Sequence, residues 1–186
     1  MTEEELRAAT IGEPTVHDST IHLAEYDTGW PDRYADEVSR IRAALGAEVL
    51  ALEHVGSTSV PRPRGQAGID IVLVVSDPAN EGTYVPTLEA AGYVLRIREP
   101  DWHEHRMLVR EQPKVQVHVF SRDCPEIERM LAFRDRLRGN DTDRELYEQT
   151  KRELAACTWR YVQDYADAKT DVVQDIMTRA LPRGSS

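Results

Sequence analysis

The sequence is poor in cysteine, and neither of its two cysteines belongs to a recognisable motif. Cys124 and Cys157 lie far apart and form no CxxC or CxxH pattern. Zinc sites and disulfide frameworks require more numerous or more closely spaced cysteines, so neither is indicated. Reduced thiols in the cytoplasm are the expected state.

Long apolar runs and an excess of positive charge are also missing. No segment approaches the roughly 20 apolar residues that cross a bilayer, and the N-terminal MTEEELRAAT is acidic, unlike a signal peptide. These absences predict a cytoplasmic protein without membrane contact. The formal net charge is −10, and an extended nucleic-acid surface is not expected because phosphate neutralisation requires a basic face.

The chain does contain enough apolar material for one core. Its 186 residues are 40% hydrophobic and 30% charged, values typical of a globular domain. We predict a partly ordered arm at residues 1–20, a single domain at 21–181 and a frayed tail at 182–186. Within the domain, a sheet part should cover 21–122 and a helical part 123–181. The predicted fold class is therefore α/β (α+β).

Hydrophobic periodicity and turn residues place the individual elements. Strands are predicted at Ile21–Tyr26, Val49–Val55, Ile69–Val75, Tyr93–Arg98, Met107–Arg110 and Val115–Phe120. Helices are predicted between Pro31 and Gly46 and at Val85–Ala91, Pro125–Arg138, Asp143–Ala156 and Thr158–Ala180.

The stretch from Glu53 to Val75 combines a polar turn with a lone acid. Backbone N–H groups and hydroxyls of the turn can hold an anion where the backbone approaches closely. Asp70 lies in an otherwise apolar strand, where a charge is costly unless it is paired or binds a cation. We therefore assign a functional role to Asp70. The predicted phosphate-binding residues of the turn are Gly56, Ser57, Thr58 and Ser59.

Three basic residues fall within the apolar stripes of the late helices. They are Arg134, Lys151 and Lys169. In an acidic protein, cations that face inward predict a bound anion, to which Arg offers bidentate contacts and Lys a point charge. The alternative is that their stems pack on the core while their charged ends reach a carboxylate. Candidate carboxylates are Asp135, Asp164 and Asp167.

Histidines provide candidate bases because imidazole titrates near neutral pH. His118 lies on a strand whose valines face the other way, and His54 and His105 are further candidates. A second interpretation takes His103, His105 and His118 as a three-nitrogen metal site, since residues two apart on a strand share a face.

Several motifs together resemble the GrpB family from Ile21 to Ala180. They are HVGSTSVP at 54–61, IDI at 69–71, HEHR at 103–106, VHVF at 117–120, FRDRLR at 133–138 and YADAK at 165–169. The resemblance implies a nucleotidyltransferase-like mixed sheet with a C-terminal helical bundle, a nucleoside triphosphate substrate and a divalent metal. Family members also occur fused to dephospho-CoA kinase, where the domain has been described as a folding accessory.

The sequence departs from the superfamily pattern at the metal-binding acids. Val72 stands where a second acid is usual, and His118 is the best match to the third. A metal site of Asp70 and His118 would suit Mn²⁺ or Zn²⁺ better than Mg²⁺, which prefers oxygen ligands. In the following loop, Gln66 replaces a usual lysine, and Arg62 and Arg64 are expected to compensate.

Two functions remain open at this point. In the first, the protein transfers a nucleoside monophosphate from a nucleoside triphosphate to a small acceptor. The turn would hold the phosphates, Asp70 would bind metal or orient the acceptor, and His105 or His118 would act as base. The basic residues would neutralise the leaving pyrophosphate. In the second, a non-catalytic module binds a nucleotide or phosphate, or assists the folding of a partner protein.

Overall fold

The computed structural model describes residues 1–61 and 66–181. Within those residues, five strands form one mixed sheet in the order β1-β2-β5-β4-β3. β2 and β5 are parallel, and the other neighbouring pairs are antiparallel. The strands are β1 (Ala51–Val55), β2 (Ile69–Val75), β3 (Val94–Glu99), β4 (His105–Glu111) and β5 (Lys114–Ser121).

Alternation along β2 separates the main core from the face that carries Asp70. Successive side chains of a strand point to opposite faces. Ile69, Ile71, Leu73 and Val75 join the largest apolar cluster, together with residues of α2 (Trp30–Leu45) and α3 (Val85–Ala90). Val72 and Val74 face the other side, where they pack with residues of α4 (Pro125–Gly139). Asp70 shares this second face because it alternates with the core residues.

The late helices extend the cover over the end of the sheet that carries Asp70. They are α5 (Asp141–Ala155), α6 (Val162–Asp167) and α7 (Thr170–Ala180). Leu137 of α4, Tyr147 of α5 and Ile176 of α7 form a cluster with Val60. Val60 directly follows residues 56–59, which we call the Gly-Ser turn. This packing brings the helical part to the turn. Among the described helices, none has the length and apolar character to cross a bilayer.

Strand β2 has the predicted bounds, and Gly46 follows α2 as predicted, with a left-handed φ of 55°. The strand predicted at Ile21–Tyr26 is wrong, because this region forms no extended strand. Its neighbour Ser19 makes an isolated bridge with Trp159. The helix predicted at Thr158–Ala180 is also wrong as one unit. The bridge uses the backbone of Trp159, so the helix begins later, at Val162, and a turn at Ala168 and Lys169 separates α6 from α7.

The predicted arm at residues 1–20 contains a further helix, α1 (Glu3–Ala9), whose Thr2 and Glu5 form a capping box. Leu6 and Ala9 are buried. Two sequence-based expectations lie outside the described residues. They are the compensating charges of Arg62 and Arg64 and the frayed tail at 182–186.

Candidate active site

The Gly-Ser turn comes into direct contact with Asp70. Gly56 directly follows Val55, which is the register partner of Asp70 on the neighbouring antiparallel strand. Gly56 has φ 69° and ψ −175°, a conformation that is essentially restricted to glycine. A Cβ atom at Gly56 would lie 2.0 Å from Oδ2 of Asp70 and 2.8 Å from its Cγ. Glycine is therefore required here both for the backbone conformation and for the closeness of the carboxylate.

Asp70 is half-buried, and within residues 1–61 and 66–181 its carboxylate has no close polar partner. It accepts no hydrogen bond and forms no ion pair there. Burial raises its pKa to about 6, and the positive charges of Lys169 and Lys114 partly oppose this shift. A partly buried carboxylate normally has a partner, and the carboxylate of Asp70, which has none among the described residues, is therefore chemically available to a ligand.

Two of the three predicted hydroxyls of the turn are used within the protein. Thr58 Oγ1 is 3.0 Å from Nε2 of His54, and Ser59 Oγ donates to the carbonyl of Gly56 at 2.6 Å. Ser57 is half-buried, and its hydroxyl has no hydrogen-bond partner in the described part of the chain. Ser57 is therefore the hydroxyl that can contact a ligand, whereas Thr58 and Ser59 shape the turn.

Two lysines and two tyrosines from the helical part lie close to one another, and two of them, Lys169 and Tyr147, interact with Asp70. We call Lys151, Lys169, Tyr147 and Tyr165 the lysine–tyrosine cluster. Lys151 Nζ lies 4.8 Å from the ring centre of Tyr147, and Lys169 Nζ lies 4.1 Å from that of Tyr165. Within the described residues, the buried Oη of Tyr165 has no hydrogen-bond partner.

Electrostatic interactions connect this cluster to Asp70. Burial lowers the pKa of Lys169 to about 8, an effect that the charge of Asp70 partly offsets. The pKa of Lys151 is also lowered to about 8, by burial and by the charge of Lys169. Burial and, to a smaller extent, the charges of Tyr165 and Asp70 raise the pKa of Tyr147. Lys169 therefore stands near the Asp70 carboxylate and Lys151 stands near Lys169, and two neighbouring cations favour an anionic ligand.

Arg134 does not join the cluster. Its guanidinium forms ion pairs with Asp135 at 2.7 Å and with Glu53 at 2.9 Å, and it donates to the carbonyl of His54 at 3.1 Å. The alternative considered for this residue, pairing with a carboxylate such as Asp135, is therefore observed. Glu53 is a partner that the spacing within the helix could not reveal, because it lies on β1.

The candidate bases His105 and His118 contact each other on the same face of the sheet as Asp70. His105 Nε2 lies 3.1 Å from His118 Nδ1, and His105 Nδ1 lies 2.7 Å from Oε2 of Glu99. Burial and the charge of His105 lower the pKa of His118 to about 3. His118 is therefore neutral at physiological pH. Sequence reasoning missed Glu99, whose only signal is its place in a segment rich in titratable residues.

The predicted metal ligands Asp70 and His118 lie on the same face of the sheet without being register partners. The register pairs Asp70 with Gln116 and Val72 with His118, so Asp70 and His118 are not opposite each other. In the described ranges, no three His, Cys, Asp or Glu residues are grouped to hold a metal ion. The three-histidine site is consequently not formed, and His103 lies instead in an exposed turn. With Asp70 as the donor that this part of the chain offers, a divalent cation would need further ligands from a bound phosphate compound.

A cleft of about 640 Å³ opens on the other side of the Gly-Ser turn. His54 stacks on Tyr34 in its wall, with ring centres 4.6 Å apart. Burial and the charges of Arg138 and Arg134 lower the pKa of His54 to about 4, so this histidine is neutral. The cleft has the size of a small-molecule site. Its lining includes Tyr26, Tyr34, His54, Thr58, Ser59, Arg138 and Arg144.

Comparisons with known proteins agree with this architecture. A UPF0157 protein of Halalkalibacterium halodurans is 54% identical over 179 residues, covering 96% of this chain and 92% of that protein. A UPF0157 protein of Streptomyces coelicolor is 44% identical over 160 residues, with coverage of 86% and 84%. The crystal structure of the conserved protein GrpB from Enterococcus faecalis superposes with a TM-score of 0.76 at 27% identity, covering 86% of this chain and 97% of that one. The family model described as GrpB protein matches residues 20–179, and the chain therefore belongs to the GrpB family.

Proposed function

We propose that this protein transfers a nucleoside monophosphate from a nucleoside triphosphate to a small acceptor. The observation that carries the proposal is the Asp70 carboxylate, which lies against Gly56 without a hydrogen-bond partner among the described residues. Two lysines of lowered pKa stand nearby. A carboxylate beside an anion-binding turn can take the proton from an acceptor group that attacks the bound phosphate.

The residues divide into those that hold the phosphates and one that handles a proton. The Gly-Ser turn and the two lysines bind the triphosphate. An acceptor oxygen forms a bond to the α-phosphorus, while the bond to the bridging oxygen breaks and its electron pair leaves with pyrophosphate. Asp70, with its pKa of about 6, takes the proton of the acceptor. The lysines neutralise the leaving pyrophosphate.

A divalent metal remains an expectation of the family resemblance. With Asp70 as the sole protein donor in the described site, we assign no step to a metal. We therefore assume no particular metal, and the assay compares Mg²⁺, Mn²⁺ and Zn²⁺.

One observation favours a second function, binding without turnover. Val72, which replaces the usual second acid, is fully buried at 0% exposure. Its side chain belongs to the apolar cluster under α4, so this position is adapted to packing. A nucleotide-binding or folding-accessory module would retain the turn and the lysines without needing that acid.

Pyrophosphate release distinguishes the two functions. Purified protein is incubated with each nucleoside triphosphate, each metal and a panel of small alcohols and amines, and pyrophosphate is measured. We expect release by the wild type and a loss of about 100-fold or more for Asp70→Asn, because a positioned base contributes about that factor. Asp36→Asn, an exposed position on α2, is the matched control and should retain activity. Nucleotide-induced thermal stabilisation without pyrophosphate release would support the binding module instead.

A further inference from the structure

A buried hydroxyl group of the lysine–tyrosine cluster lacks a partner. Tyr165 of α6 is 1% exposed, and within the described residues its Oη makes no hydrogen bond. Burying a hydroxyl group without a hydrogen bond costs free energy, and the large majority of such groups in native proteins are paired. The Tyr165 hydroxyl is therefore a candidate to bind a ligand.

Packing holds the two tyrosine rings of the cluster in place. Trp159 meets the ring of Tyr165 edge-on, with ring centres 6.2 Å apart. Tyr147 packs with Val60, which follows the Gly-Ser turn, and Phe133 meets its ring edge-on at 5.1 Å. The positions of both hydroxyl groups are therefore set by the fold.

The ammonium group of Lys169 lies over the ring of Tyr165, with Nζ 4.1 Å from the ring centre. Lys169 forms no hydrogen bond or ion pair with the described residues. Because Oη is attached to the edge of the ring, it lies roughly 5 Å from an ammonium group placed over the ring face. Two oxygens of one phosphate group can accept hydrogen bonds from donors separated in this way. The lysine stem is flexible, so a ligand that attracts the ammonium can also reach the covered hydroxyl.

Tyr147 and Asp70 belong to the same polar region. Burial and, to a smaller extent, the charges of Tyr165 and Asp70 raise the pKa of Tyr147, and the charge of Asp70 acts on Lys169. Such effects weaken with distance, so the polar ends of these four side chains lie near one another. Among the described residues, none of the four forms a hydrogen bond or ion pair with another. Neighbouring polar groups in this arrangement can all bind one further group between them.

We infer that the hydroxyls of Tyr147 and Tyr165 donate hydrogen bonds to the phosphate group that Lys169 binds, which makes the lysine–tyrosine cluster a pyrophosphate site. A phenol that keeps its hydrogen can donate to a phosphate oxygen, and Lys151 supplies a second cation for the second phosphate group. The inference rests on the proposed function for the identity of the ligand. It assigns the two phosphates that leave as pyrophosphate to this cluster.

Isothermal titration calorimetry with inorganic pyrophosphate at pH 7 tests these contacts. We expect the wild type to bind, and Tyr165→Phe and Tyr147→Phe each to bind about 10-fold or more weakly, because each loses a hydrogen bond to a charged group. Tyr84→Phe is the matched control. Tyr84 is buried in the main core, where its hydroxyl donates to the carbonyl of Pro78 at 2.7 Å, and its loss should leave the affinity unchanged. Absence of pyrophosphate binding by the wild type, or wild-type affinity in either of the first two variants, would overturn the inference.

Thermal unfolding without ligand distinguishes a ligand contact of Tyr165 from a structural one. Tyr165→Phe removes a hydroxyl that has no partner and should not lower the melting temperature. Tyr84→Phe removes a paired hydroxyl and should lower it. A decrease in Tyr165→Phe as large as that in Tyr84→Phe would show that the Tyr165 hydroxyl has a partner within the protein, and would contradict the inference.

This inference and the transfer reaction can fail separately. Pyrophosphate binding that depends on both tyrosines, in a protein that releases no pyrophosphate from nucleoside triphosphates, would refute the transfer reaction and retain the binding site. Release of pyrophosphate at low nucleotide concentration that is as fast in Tyr165→Phe and Tyr147→Phe as in the wild type would retain the transfer reaction and refute the tyrosine contacts.

Discussion

Asp70 is one of the side chains through which the stability of the protein depends on pH. Its pKa rises from the ordinary value of 3.8 to about 6 in the folded protein, chiefly because of burial. The folded state therefore holds a proton on Asp70 more tightly than the unfolded chain does. The stability associated with this proton is fully present below about pH 4 and is lost as the pH rises through about 6.

Asp70→Asn removes this loss because an amide carries no charge. We expect the variant to be more stable than the wild type at pH 7.5 by about 1 to 3 kcal/mol, and to differ little at pH 4. Urea unfolding at the two pH values measures the difference. An equal effect of the substitution at both values would show that the carboxylate is not destabilised by burial. Together with the loss of pyrophosphate release, greater stability would separate the chemical role of Asp70 from folding.

At the scale of an element, the Gly-Ser turn is defined by its contact with β2. Val55 of β1 pairs with Asp70 of β2, and Gly56 then turns the chain across the carboxylate. A methyl group at Gly56 would meet Cβ and Cγ of Asp70 at 2.9 and 2.8 Å. Because those atoms belong to the base of the side chain, a rotation of the carboxylate alone cannot relieve the contact.

Gly56→Ala should therefore lose stability and ligand binding together. We expect a cost on the order of 1 to 3 kcal/mol from the backbone conformation, with added displacement of Asp70. Gly46→Ala is the matched control, since Gly46 also has a positive φ but no atom lies within 4 Å of the position that its Cβ would take. Chemical denaturation and nucleotide-induced thermal shifts are measured for both variants. A Gly56→Ala protein that binds nucleotide as the wild type does would argue against the turn as the phosphate site.

At the scale of the whole molecule, the sheet separates a structural face from the site face. On the structural face, Glu37 of α2 is 2% exposed. It accepts hydrogen bonds from Tyr93, which precedes β3, and from Arg110 of β4. This buried network joins α2 to the strands far from β1, and it lies on the side of the sheet opposite Asp70.

Glu37→Ala should destabilise the fold without altering the site. Removing one partner of a buried ion pair costs about 3 to 5 kcal/mol, because Arg110 is left buried without its carboxylate. Glu37→Gln keeps a hydrogen-bond acceptor and should cost less. Denaturant unfolding measures the stability of each variant. The nucleotide-induced thermal shift of the folded protein should equal that of the wild type. A selective loss of nucleotide binding in folded Glu37→Ala would contradict the separation of the two faces.

Features that depend on local pattern can be predicted from the amino-acid order alone. The bounds of β2 follow from its run of apolar β-branched residues, and the end of α2 follows from Gly46. The functional role of Asp70 follows from the cost of placing a charge in the apolar run of β2. The closeness of Gly56 and Asp70 is also predictable, since an antiparallel neighbour brings the end of one strand beside the start of the next. Each of these inferences uses residues close in sequence.

Which distant side chains meet depends instead on the tertiary structure. Arg134 is neutralised by Glu53, and Glu99, His105 and His118 meet because β3, β4 and β5 are neighbours in the sheet. The late start of α6 follows from a backbone bridge between Ser19 and Trp159, which lie near opposite ends of the chain. Periodicity reports which way a side chain points relative to its own element. The identity of its partner depends on strand order and helix packing, which local spacing does not encode.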